Sequence, residues 1–198
     1  IALPLPVSRS FLNVAQAVLS RDPLQTAYCW NPQLQHLIHH QLTDAKIPFD
    51  VVHIEHLRGV RYGLAIKEVA RKMKTPLIWD SVDNITYLFK QSSVQSKRLI
   101  NRWITRFELG RTARFETWVV DQFERVLVTS PNDRQAFIEL NPSQKSQERI
   151  KVLPNGVDLE YFTPDAQIMR RPDTLVVTGK MSYHANVTMV MSFVQDIL

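Results

Sequence analysis

The sequence predicts an α/β fold built on a doubly wound parallel sheet, and three observations lead there. Short apolar runs recur at residues 26–30, 50–56, 76–80, 125–129, 150–153 and 174–178. Most are continuous rather than alternating, which is how strands covered on both faces read. Longer segments of helical pattern separate them, and that succession defines a parallel sheet with ligands at the carboxyl ends of its strands.

The composition admits such a fold. Of 198 residues, 44% are hydrophobic, enough for a substantial core. No run nears the ~18 apolar residues of a membrane span, so a cytoplasmic protein is the expectation. The net charge of +5 and the pI of about 9.5 suit a nucleic acid, an anionic membrane surface or a phosphorylated substrate equally. Cys29, the single cysteine, cannot close an internal disulfide and reads as a small buried hydrophobe in TAYCW. The chain opens on Ile1 and breaks off in the helical pattern MVMSFVQDIL without a stop signal, so it is expected to be a piece of a longer one.

Taken in order, the first strand is TAYCW, 26–30, followed by a helix over 32–46. That helix carries His36, His39 and His40 at the i, i+3, i+4 spacing of zinc ligands. No carboxylate or cysteine joins them nearby, so a helix face is expected and no metal. The strand DVVHIEH, 50–56, precedes a helix over 62–74, and PLIWD, 76–80, precedes the polar turn Asp80-Ser81-Val82-Asp83-Asn84. A long helix is expected over 94–124. Its apolar stripe is Ile100, Trp103, Ile104, Phe107, Phe115, Trp118 and Phe123, with Lys97, Arg98, Arg102, Arg106, Arg111 and Arg114 elsewhere on the surface. Such a helix can rest on anionic lipid, and the same stripe serves any helix packed on a sheet. Gly110 in its middle predicts a break or kink.

The strand over 125–129 runs into SPND, where Ser130 as N-cap, Pro131 at the first helical position and Asp133 three residues after the cap start a helix over 131–140. The polar segment 141–149 reads as a surface loop. A strand over 150–153 then meets the turn Pro154-Asn155-Gly156, where Pro presets one dihedral and Asn-Gly tolerates positive φ. The loop RRPD, 170–173, comes before the strand TLVVT, 174–178, then Gly179 and Lys180, and Asn186 is a candidate cap for the last helix. A domain boundary over 155–171 fits the change in composition.

There is no GxGxxG or Walker loop, and five glycines leave little glycine-rich backbone for a phosphate. The succession DVVHIEHLRG, PLIWDSVDN, a long helix, RVLVTSPNDRQAF, IKVLPNGVDLEYFTP and TLVVTGKMSYHAN, however, resembles the group 1 (family 4) glycosyltransferases of the GT-B fold over most of the chain. PNGVDxxxF is its most specific part. The resemblance implies a truncated Rossmann-like arrangement: residues 1–154 as an acceptor-side domain lacking its first β-α units, and 155–198 as a linker with the first strand and helix of a donor-side domain. Asn155 and Gly156 would form the turn at which the chain crosses between them. The family's N-terminal glycine loop and its C-terminal pair of glutamates are not present, so the chain is expected to be inactive by itself.

The implied reaction is retaining transfer of a sugar from a nucleotide sugar to a glycan or lipid-linked acceptor in polysaccharide biosynthesis, with no cofactor or metal and with peripheral contact to the inner face of the membrane as an option. Asp80 and Asp83 are the catalytic candidates. Asp80 stands where the family often has a histidine or aspartate facing the acceptor, and Asn84 beside it is a candidate acceptor contact. A polar turn whose Asp and Asn cap the next helix is the alternative. His56 with Arg58, at another strand end, is a candidate for an acceptor phosphate, against a satisfied structural histidine for His53 or His56. Gly179 and Lys180 follow a strand and precede a helix, where a cation reaches a leaving diphosphate. The family's further lysine is replaced here by Ala185-Asn186. The competing function is a noncatalytic basic module for nucleic acid or a partner protein. Nucleic acid is disfavoured, because the aromatics sit on a helical stripe and do not interleave with basic residues on strands.

Overall fold

The computed structural model describes residues 2–20, 22–95, 99–165, 167–169, 171–182 and 184–198, with the side chains of 92–95, 99–105, 184 and 185 outside that description. The chain divides into two units, Ile1–Gly156 and Val157–Leu198.

The first unit is an α/β domain on a four-stranded parallel sheet, β1 (Val52–Glu55), β2 (Leu77–Val82), β3 (Arg125–Val128) and β4 (Ile150–Val152), in that spatial order. Because neighbours in the sheet are also neighbours in sequence, each connection is a crossover through helix: α4 (His56–Met73), α5 (Ile85–Gln95) with α6 (Leu99–Val119), and α7 (Pro131–Leu140) with α8 (Gln144–Arg149). Among the described residues, three helices precede the sheet: α1 (Val7–Leu19), α2 (Leu24–Ala27) and α3 (Pro32–Thr43).

The sheet's core is centred on Trp79, which is fully buried with Phe123 at 6.2 Å and Phe137 edge-on at 5.8 Å. Leu57, Val60 and Ile66 bring the inner face of α4 onto it, and Val126, Val128 and Ile150 bring β3 and β4. Gly63 permits the close approach of α4: a Cβ there would stand 2.9 Å from the Phe123 ring and 3.1 Å from Ile54.

Several sequence expectations change. TAYCW, 26–30, is not a strand: Leu24–Ala27 is a helical turn, and the rest hangs on α4. Tyr62 donates its hydroxyl to the Cys29 carbonyl and accepts from the Asn31 N–H, while Trp30 stacks on the Tyr62 ring at 4.8 Å. Cys29 is half-buried rather than core, and burial pushes its thiol up. The segment 141–149 contains α8 where a loop was expected, with Ser146 donating to Asp121 of the turn before β3.

Of the long helix expected over 94–124, the described residues give the end of α5 and the whole of α6, and α6 runs unbroken through Gly110, where a break or kink was expected. Lys97 and Arg98 lie outside the described residues, as do the side chains of Ile100, Arg102, Trp103 and Ile104. The rest of the stripe divides: Phe123 is buried, whereas Phe107 and Trp118 are half exposed. Arg111 is not on the surface. Its guanidinium is buried and gathers the carbonyls of Ala17, Ser20 and Asp22, closing the carboxyl end of α1, with Glu108 at 3.6 Å. A helix leaves its last carbonyls without partners, and a buried cation satisfies several at once.

In the second unit, Asp158 accepts the N–H groups of Glu160 and Tyr161, an Asx-turn that sets the Tyr161 and Phe162 rings edge to face at 4.9 Å. The expected strand over 174–178 does not form. A strand needs a ladder partner, and among the described residues of this unit the one regular element is α9 (His184–Asp196), so Leu175 and Val176 stay exposed. Asn186 lies inside α9 rather than capping it, and its amide donates to the Lys180 carbonyl at 3.1 Å.

No described helix is long and apolar enough to cross a membrane. We expect Phe137→Ala to cost about 3–5 kcal/mol in urea denaturation, since it empties the edge-on contact with Trp79. Phe11→Ala, on the exposed side of α1, should stay within about 0.5 kcal/mol.

Candidate active site at the carboxyl edge of β1 and β2

Parallel pairing places Glu55 of β1 opposite Asp80 of β2, so the groups that leave both strands meet at one edge. His53 Nε2 lies 3.2 Å from Asp80 Oδ2, and Asp80 Oδ1 accepts the Val82 N–H at 3.1 Å. Both oxygens of Asp80 are therefore engaged, and its side chain is 19% exposed against 49% for His53. An apolar cavity of about 420 Å³, lined by Leu34, Ile38, Leu42, Phe49 and Val52, has the same His53 in its wall.

The backbone at this edge is strained. Val82, β-branched, has φ 67°, and His56 at the first position of α4 has φ 59°. The left-handed region costs a residue without glycine's freedom about 1–3 kcal/mol, and such strain gathers at functional sites. The register of β2 against β3 shifts between Asp80 and Val82, and that bulge turns the chain out of the sheet. Ser81 then donates to the Asp83 carbonyl at 2.7 Å, while the Asp83 N–H donates to the Ser81 carbonyl at 2.8 Å. The Asp83 carboxyl is pushed up by desolvation and by the charge of Asp133, with His56 opposing.

The loop is fastened from behind. Asn84 is fully buried: its N–H donates to Asp133 Oδ1 at 2.9 Å and its Oδ1 accepts the Tyr87 N–H at 2.7 Å, capping α5. The buried Glu116 of α6 accepts the next two donors, Ile85 N–H at 2.8 Å and Thr86 N–H at 3.0 Å. Asp133 is held in turn by Ser130, the N-cap of α7, whose hydroxyl donates to its carboxylate and accepts its N–H.

Of the residues singled out from sequence, the fold thus brings Asp80, Asp83 and His56 to one edge and adds His53 as the partner of Asp80. Asn84 leaves the set, because a buried helix cap offers an acceptor no surface. Arg58 leaves it too: two positions along a helix from His56, it faces another way, with its guanidinium 5.6 Å from the Tyr28 ring. Asn155 and Gly156 are exposed and lie after β4 in a stretch without helix or strand. Gly179 and Lys180 belong to the second unit, both exposed, and Asn186 packs so close that a Cβ on Gly179 would stand 3.0 Å from its amide. His36, His39 and His40 line α3, where His40 pairs with Asp44 at 3.2 Å. Among the described residues no group of three metal-ligating side chains forms.

Sequence reading did not find Glu116 as part of this edge. The residue was visible only as an acid among arginines, and its partners lie 30 positions upstream.

These features define a class: a parallel α/β domain with a polar, strained constellation at the carboxyl ends of adjacent strands, where domains of this kind hold their ligands. The chain belongs to the glycosyl transferase 4-like domain family, which matches residues 5–156 and so takes in the whole sheet. It is accordingly a domain of the glycosyltransferase type, whose work involves a sugar donor and an acceptor. A comparison with curated proteins returns no match.

The environment of Asp83 can be titrated. A folded-state pKa above the ordinary aspartate value means that the fold holds this proton more tightly, so the stability from Asp83 falls as pH rises beyond the usual carboxylate range. In carboxyl-carbon NMR titrations, His56→Ala should raise the Asp83 midpoint further, and Asp133→Asn should lower it.

Proposed function

We propose that this chain forms the acceptor-side part, with the beginning of the donor side, of a retaining glycosyltransferase that moves a sugar from a nucleotide sugar to a glycan or lipid-linked acceptor in polysaccharide biosynthesis. The observation that carries the reading is the His53–Asp80 pair beside a strained loop at the carboxyl edge of the sheet, in a domain of this family. Asp80, fixed by His53 and by the Val82 N–H, orients the acceptor hydroxyl, and Asp83 beside it completes the polar edge. Orientation of this kind converts a chance encounter into a near-attack geometry.

The apolar cavity that shares His53 suits the hydrocarbon part of a lipid-linked acceptor, with its polar head at Asp80. Such an acceptor places the enzyme in the cytoplasm, in peripheral contact with the inner face of the membrane. Gly179 and Lys180 meet the leaving diphosphate, the exposed ammonium balancing charge that develops in the transition state. No resident cofactor or metal enters this scheme.

The test is transfer of labelled sugar from UDP-, GDP- and dTDP-sugars to polyprenyl-linked acceptors by the enzyme that contains residues 1–198. Asp80→Asn should lower kcat by about 100-fold, the scale of a lost polar contact to a reacting group. Lys180→Ala should raise the KM for the nucleotide sugar about tenfold or more and slow turnover, as loss of a charged hydrogen bond would. Wild-type kinetics in both variants would sink the assignment of these residues. No transfer with any donor, together with salt-sensitive binding of nucleic acid, would replace the enzyme with a basic binding module.

A further inference from the structure

Three successive backbone donors, the N–H groups of Asn84, Ile85 and Thr86, end on carboxylates carried by two other helices: Asp133 Oδ1 of α7 at 2.9 Å, and Glu116 Oε1 and Oε2 of α6 at 2.8 and 3.0 Å. These are donors that the first turn of any helix leaves without intrahelical partners. A local Ser, Thr, Asp or Asn normally takes one of them. Here Asn84 does so for Tyr87 alone, and the others draw a fully buried glutamate out of a different element.

Burying a carboxylate is costly, and a helix cap alone does not require it. What a bidentate acceptor adds is rigidity, since one side chain fixes two adjacent peptide units. The chain immediately before them is the strained stretch that leaves β2 through the bulge at Asp80 and the left-handed Val82. Strain of that kind persists only where its surroundings over-determine it.

We propose that Glu116, assisted by Asp133, is a positioning residue that clamps the start of α5 and thereby sets Asp80 and Asp83 at the sheet edge. Its consequence for sugar transfer rests on the function proposed above; the clamp itself does not. The clamp also responds to protons. Burial pushes the Glu116 carboxyl up to about 7, and Asp133 faces it from α7 with the same sign. Asp133 also faces Asp83, beside which stands His56, while α5 presents to Glu116 the backbone donors of Ile85 and Thr86 and the Thr86 side chain. Protonation converts one acceptor oxygen to a hydroxyl and loosens one of the two amides.

The test uses nitrogen–proton correlation spectra of the 198-residue chain from about pH 5.5 to 8.5, a span that covers a carboxyl displaced this far. Ile85 and Thr86 amides should titrate together with the Glu116 carboxyl, and Glu116→Gln should abolish that shared titration. Release of the clamp should also speed exchange of these two amides about tenfold or more while Val126 in β3 keeps its protection, the pattern of local rather than global opening. The His53 ring resonances, which report on the contact with Asp80, should shift in the variant. Glu116→Asp, too short to reach both amides, gives the same readout if the glutamine variant fails to fold.

Amides that do not titrate with Glu116, or His53 ring resonances superimposable on wild type in both variants, would overturn the proposal. In the enzyme, Glu116→Gln should lower kcat about tenfold with the donor KM unchanged, the split expected for lost alignment. A wild-type enzyme without transfer activity would sink the proposed function and leave the clamp to the spectroscopic result.

Discussion

Side chains along β2 alternate, and Trp79 must go inward. The central position it fills, against Phe123 and edge-on to Phe137, is the largest buried volume in the sheet. Once Leu77, Trp79 and Ser81 face one way, Ile78, Asp80 and Val82 face the other, because a strand has a period of two. The position of Asp80 relative to His53 is therefore a by-product of where the indole packs. A slip of one residue would bury the carboxylate and expose the tryptophan, so the core protects the register of the site.

The same domain spends stability on buried charge in two places, and both concern chain direction. At the carboxyl end of α1, Arg111 collects backbone carbonyls that have no helical partners, with Glu108 beside it. Glu116 and Asp133 do the converse for backbone donors at the start of α5. Removing either group would strand several buried polar atoms, which costs more than the interaction gained when they pair. Both fasten a turn that local sequence does not close by itself, and the second of these turns bears the acidic residues of the site.

Much of the sheet was legible. The runs DVVHIEH, PLIWD, RVLVT and IKVL became β1 to β4 because each holds β-branched residues, joined in PLIWD by an aromatic one, in a span too short for a helix. Ser130-Pro131 starts α7 as its chemistry dictates. TAYCW and TLVVT carry the same local signal yet are not strands. A strand is stable only with a partner, and partners are not encoded in the run itself. TAYCW found a better surface on α4 through Trp30 and Tyr62, and TLVVT has no ladder within its own unit.

The candidate site divides along the same line. Residue types and the ends of apolar runs determined that Asp80, Asp83 and His56 would leave the sheet at its carboxyl edge, since a parallel strand delivers its following residues there. Only the tertiary structure decided that His53 would hold Asp80, that Arg58 would turn to Tyr28, that Asn84 would be buried as a cap, and that Glu116 would reach across from α6 to fasten the loop. Those outcomes depend on which elements pack where, and contacts between residues 27 or more positions apart leave no periodicity in a sequence.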